Sequence, residues 1–263
     1  MARPILCFDM DGTLLDDHGQ IHPEDRRLLA DPETPAWLIP TTGRPLASIR
    51  RTFTQNGLFV DRPIPLPLVL LNGAHLYLPG EIEAAYTPFP LDVRLSLIAL
   101  SAAYPEVMFL YLARETIDYL NPTPFGLHAA EKYEFPIRPF ANPGPELVFG
   151  KSMCVCAAPG PLAEIADRVR SLAVEGAYSM ATIFEMNARG VSKGNGIRHL
   201  LAKLGLKDAP LLAAGDGEND RVLLERARIS FAPVTAPPEI RSLAAHEIDV
   251  TQRGLLAPML DSL

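Results

Sequence analysis

The apolar run Pro4-Ile5-Leu6-Cys7-Phe8 stops abruptly at Asp9-Met10-Asp11-Gly12-Thr13-Leu14. Three other segments share that shape. Ala36-Trp37-Leu38-Ile39-Pro40 gives way to Thr41-Thr42-Gly43-Arg44-Pro45, and Leu68-Val69-Leu70-Leu71 to Asn72-Gly73-Ala74. Leu211-Leu212-Ala213-Ala214 gives way to Gly215-Asp216-Gly217-Glu218-Asn219-Asp220. Short apolar runs bounded by turn residues read as buried strands. Helices are expected between them. One opens at His22-Pro23-Glu24-Asp25, one stops near Asn56-Gly57, and one runs from a Ser192 cap to Lys203-Leu204-Gly205. Strand–helix alternation implies right-handed crossovers and a parallel, Rossmann-like α/β sheet, with every strand exit on one edge.

The middle of the chain departs from this alternation. A helix is expected over residues 91–103, strands over 107–112, 116–120 and 151–157, a helix over 161–174, and strands over 177–180 and 182–187. Helix–strand–strand, twice repeated, is an α+β pattern. The expected organisation is therefore a core formed by residues 1–80 and 187–263, with residues 81–186 inserted as a second domain. The stretch 121–145, rich in Pro and Gly, reads as a connector.

At 263 residues and 48% hydrophobic, the chain has enough apolar material for a packed core. A net charge of −7 argues against a nucleic-acid partner, and no apolar stretch reaches membrane-spanning length. Cys7, Cys154 and Cys156 lack the spacing of a zinc site or a disulfide framework. A cytoplasmic monomer or small homo-oligomer is the expectation.

The polar clusters carry the chemistry. Asp9 and Asp11 are like charges one residue apart, and they repel unless a cation or proton lies between them. Mg²⁺ takes oxygen ligands and keeps positions open for phosphate, so the pair suggests attack by a carboxylate on a metal-held phosphoryl group. Asp9 would be the nucleophile, and Asp11 the general acid and then base. Lys193 would supply a charge to both phosphate and nucleophile. Phosphate or substrate contacts would come from Gly12, Thr42, Gly43, Arg44, Asn72, Lys193 and Asn219. The metal would lie among Asp9, Asp11 and Asp216, steadied by Asn219 and Asp220. Taken alone, Thr42-Gly43-Arg44 is a helix start and Lys193 a surface lysine. Their joint occurrence at strand ends turns them into a site.

These motifs, with Val191-Ser192-Lys193-Gly194, resemble over essentially the whole chain those of haloacid-dehalogenase superfamily phosphatases of the Cof-like branch with a type-IIB cap. The resemblance implies an aspartyl-phosphate mechanism with Mg²⁺ and an inserted domain that caps the substrate. It also implies that Asp11 meets the metal through its backbone carbonyl. The expected activity is hydrolysis of a small phosphorylated metabolite, sugar phosphates among the candidates. The rivals are a phosphotransferase or phosphomutase using the same intermediate, and a non-catalytic phosphate-binding protein. Two positions depart from the family pattern: Thr41 stands where a small residue is usual, and Thr235 where relatives carry Asn.

Overall fold

In a computed structural model, which describes residues 3–132, 136–140 and 144–263, the strands form three sheets. In chain order they are β1 (Ile5–Phe8), β2 (Trp37–Pro40), β3 (Leu68–Leu70), β4 (His75–Leu78), β5 (Ile82–Tyr86), β6 (Met108–Ala113) and β7 (Ile117–Leu120). They continue with β8 (Ile137–Pro139), β9 (Phe149–Val155), β10 (Val174–Met180), β11 (Ile183–Ala188), β12 (Leu211–Ala214), β13 (Ile229–Pro233) and β14 (His246–Ile248). The first sheet has the order β14-β13-β12-β1-β2 and is parallel throughout.

Successive residues of β1 feed opposite faces of this sheet. Leu6 and Phe8 join a cluster with Leu38, Leu212 and Phe231, whereas Ile5 and Cys7 join one with Ile39, Ala213 and Ala232. A strand buried on both sides must be apolar at every position, and each such side chain contributes about 1.5–3 kcal/mol on burial. The runs are therefore continuous rather than alternating. The expected caps are present: Ser192 Oγ accepts from the Asn195 amide at 3.2 Å, and Gly205 ends helix Lys193–Leu204 with φ 71°.

The third apolar run departs from the expected parallel sheet. β3 touches its edge through one parallel bridge, Thr41 to Val69, and then pairs antiparallel with β4. Asn72-Gly73 reverses the chain at once, which leaves β3 no room for a helical crossover. β4 and β5 form a hairpin around Pro79-Gly80, so the chain commits to the next sheet only after Thr87.

That sheet has the order β10-β11-β9-β6-β7-β8, antiparallel except for β7 with β8. It has its own hydrophobic cluster, built on residues such as Phe109, Tyr111, Phe149, Leu162, Ile165 and Met186. The expected connector 121–145 is not all loop: Pro124 starts helix Pro124–Lys132 and β8 follows. Proline fits a first helical turn and the end of an edge strand, which is why its density misleads there. Residues 133–135 and 141–143 of that stretch lie outside the described residues. The chain ends in two short helices, Val250–Arg253 and Leu256–Asp261, parted by Gly254 at φ 70°. Among the described residues no helix is long and apolar enough to cross a membrane.

Candidate active site

Register in the parallel sheet brings distant carboxylates together. Phe8 is level with Ala214, and the Asp9 amide donates to the Ala214 carbonyl at 3.0 Å. Asp9 and Asp216 thus leave adjacent strands side by side. Carboxylate oxygens of Asp9, Asp216 and Asp220 lie within 4.8 Å of one another. Gly12 makes this approach possible. Its φ is +72°, and a Cβ there would run into the Asp216 carboxylate. Thr13 Oγ1 donates to Asp216 Oδ1 at 3.0 Å.

Lys193, the first residue of its helix, is buried in the cluster, not exposed on the surface. Its Nζ lies 2.7 Å from Asp9 Oδ1 and 2.7 Å from Asp220 Oδ1. Burial alone would discharge it, but Asp220 and Asp9 outweigh burial and hold the ammonium above the usual lysine range. Asp220, fully buried, also accepts from the Asp216 and Gly217 amides at 3.2 and 3.0 Å. Its oxygens are therefore engaged in fixing the loop and the lysine.

Asp9 and Asp216 carry the electrostatic cost. Burial raises Asp9 well above the ordinary carboxylate range against the pull of Lys193, with Asp220 and Asp216 adding to the rise. Burial, then Asp220, pushes Asp216 up to about 6. Carboxylates crowded in a buried pocket call for a cation, and an all-oxygen donor set suits a hard divalent ion. The residues present therefore fit Mg²⁺, with Asp9 and Asp216 as side-chain ligands and Asp220 behind them.

Asp11 is arranged differently. Its carboxylate, 43% exposed, turns from that cluster onto Arg44, with Nε to Oδ2 at 2.7 Å and a second contact from Arg44 Nη2 to Oδ1. The Arg44 guanidinium also reaches Ser48 and Thr52. Among the described contacts, then, Arg44 enters the site through Asp11. Thr42 is buried, with Oγ1 accepting from the Arg44 amide at 3.2 Å. Thr41 is turned away, to Cys7 Sγ at 2.8 Å and the Ile39 carbonyl. Thr235 is exposed in the turn after β13.

Asn72 links the parts. Its φ is +56°, its Nδ2 donates to Glu185 Oε2 at 2.8 Å, and its Oδ1 receives Asn219 Nδ2 at 3.5 Å. Glu185 belongs to β11 and pairs at 2.9 Å with Lys151 of β9. Asn187 of β11 approaches Asn72 at 3.3 Å and donates to the Leu71 and Gly150 carbonyls at 2.9 Å each. Sequence reasoning missed Lys151, Glu185 and Asn187. Their signal was a charged or amide side chain inside runs otherwise built like buried strands.

Residues 6–257 match the haloacid dehalogenase-like hydrolase family. The chain is 26% identical over 257 residues, 91% of its length and 90% of the relative's, to a Bacillus subtilis (strain 168) protein named "Putative phosphatase YxeH". Its fold superposes on TM0651 from Thermotoga maritima with a TM-score of 0.81 at 21% identity, covering 99% of this chain and 97% of that one. It also superposes on the HAD subclass IIB sugar phosphatase BT4131 with a TM-score of 0.80 at 18% identity, covering 98% of each chain.

Proposed function

This chain belongs to the haloacid dehalogenase-like hydrolases, and on that premise we propose that it is a Mg²⁺-dependent phosphatase of small phosphorylated metabolites, sugar phosphates among them. The observation that carries the reading is the contact of Asp9 Oδ1 with Lys193 Nζ at 2.7 Å, inside a buried carboxylate cluster at the strand ends. A phosphate-binding protein needs cations and amides there; a buried carboxylate aimed into the same space is a nucleophile's arrangement.

In the proposed reaction an Asp9 oxygen attacks phosphorus, and the bond to the leaving oxygen breaks. Asp11, keeping one contact to Arg44 and carrying a proton on its other oxygen, gives that proton to the leaving oxygen. Water then attacks the aspartyl-phosphate, Asp11 takes the water's proton, and inorganic phosphate leaves with Asp9 restored. Lys193, the Thr42 hydroxyl and the Gly12 and Gly43 amides would meet the phosphoryl oxygens. When bound through Asp9, Asp216 and the Asp11 carbonyl, Mg²⁺ would supply Lewis-acid neutralisation of the phosphoryl charge. Arg44 aims Asp11.

The proposed division is a core of residues 1–80 and 187–263 and a cap of residues 81–186. The β4–β5 hairpin supports moving the first crossing to about residue 87. The cap would exclude water and touch the leaving group. The test is release of inorganic phosphate from a phosphometabolite panel with Mg²⁺. Transfer of the phosphoryl group to an added alcohol without net release would instead make the chain a phosphotransferase.

A further inference from the structure

Lys151 lies outside the motifs that define the site, yet its Nζ reaches into the loop of Thr42, Gly43 and Arg44. It is 1% exposed and donates to the Gly43 carbonyl at 3.0 Å. A Cβ on Gly43 would lie 2.5 Å from that ammonium, so a larger residue there would have to displace the lysine. Glu185 is its counter-ion, at 2.9 Å. Burial would favour neutral Glu185, but Lys151 and Asn72 outweigh it and keep the carboxylate below its ordinary range.

The Gly43 carbonyl shares its peptide unit with the Arg44 N–H, and that N–H donates to Thr42 Oγ1 at 3.2 Å. The chain of contacts is continuous: ammonium to carbonyl, across the amide, and amide hydrogen to hydroxyl oxygen. An ammonium drawing on the carbonyl polarises the amide and strengthens its donation at the other end. A hydroxyl has one proton to give. With an Oγ1 lone pair taken by the Arg44 amide, that proton is left for an incoming acceptor.

We infer that Lys151, carried by the six-stranded sheet, is a positioning residue that orients the Thr42 hydroxyl for phosphate through the Gly43–Arg44 peptide. The inference rests on the proposed phosphatase reading, in which Thr42 meets the phosphoryl group. Glu185 anchors the ammonium and, through Asn72, ties the same sheet to the loop that carries Asn219.

The test is a double-mutant cycle on the Mg²⁺-loaded full chain, comparing wild type, Lys151→Met, Thr42→Val and the double variant. Orthophosphate affinity is read by calorimetry, and KM and kcat with p-nitrophenyl phosphate. Lys151→Met should weaken orthophosphate binding and raise KM roughly tenfold, the scale of one charge-assisted hydrogen bond, with kcat moving less. In the Thr42→Val background the same change should add less than about twofold, because both act on one contact. Lys151→Arg should retain most of the affinity. If Lys151→Met fails to fold because Glu185 is left unpaired, Lys151→Met with Glu185→Met removes both charges and enters the same cycle. Effects that multiply independently, or unchanged orthophosphate affinity in the folded Lys151 variant, would overturn the inference while leaving an active phosphatase. A wild-type protein that releases no phosphate from any monoester would instead overturn the reading beneath it.

Discussion

Asp9 and Lys193 meet at 2.7 Å although 184 residues separate them. One leaves the strand β1 and the other opens a helix that returns from the inserted sheet. Their contact forms only when both flanks of the insert have folded against one another, so it joins long-range topology to chemistry.

Asp9→Asn should reduce phosphate release by about 10³-fold or more while leaving the far-ultraviolet circular dichroism unchanged. The amide fills the same volume but is not a nucleophile. Retained turnover in a variant verified by mass spectrometry as undeamidated would remove Asp9 from that role.

Exhaustive chelation should abolish activity, Mg²⁺ should restore it, and Ca²⁺ should restore it poorly because its coordination is looser. Mg²⁺ should also raise Tm, since it binds the folded cluster of Asp9 and Asp216 and relieves their repulsion. Calorimetry with and without the ion checks both; activity that survives chelation counts against a metal centre.

Gly12→Ala should weaken Mg²⁺ binding and cost about 1–2 kcal/mol of stability. The residue would have to hold φ +72° while its methyl pressed on the Asp216 carboxylate. A Mg²⁺ titration of activity that matches wild type would show that the Gly12–Asp216 contact has no bearing on the ion.

Asp25 should make stability depend on pH through a group that is not part of the Asp9, Asp216 and Asp220 cluster. It is buried and accepts from the Leu255 and Leu256 amides at 2.8 and 2.7 Å. Burial outweighs those bonds and raises it from 3.8 to about 6. Its folded value lies above its unfolded one, so its contribution is complete below about 3.8 and is lost as pH rises through about 6. The stability of wild type relative to Asp25→Asn should therefore fall between pH 4 and pH 7. A difference constant across that window would contradict the assignment.

Much of the architecture was legible because the four apolar runs had to be strands and their polar exits had to share an edge. Gly12, Thr42, Asp216 and Asp220 could be placed from one-dimensional spacing, and so could the Ser192 cap. The hairpin β4–β5 was not, because His75–Leu78 and Ile82–Tyr86 are short and mixed in polarity. Lys151 and Glu185 were not legible either. Each is a lone charge in a strand, and its meaning depends on which loop of the other sheet faces it. The Arg44–Asp11 pair was hidden for a similar reason: Arg44 was read as a substrate contact and Asp11 as an acid and base beside the metal, whereas the fold pairs the two side chains.

Gly150 packs against Ala74 and Thr87 where the chain enters the six-stranded sheet, and it accepts from Asn187 just before the chain leaves. The two ends of a hundred-residue excursion therefore lie together at a single seam. Because the excursion's own sheet holds its two ends together, the parent sheet closes it as a short connection and escapes the larger entropic cost of a long flexible loop. Under the proposed division, residues beyond the seam would be open to change while the strand exits below keep their register, which separates the surface that would meet the leaving group from the carboxylates that would do the chemistry.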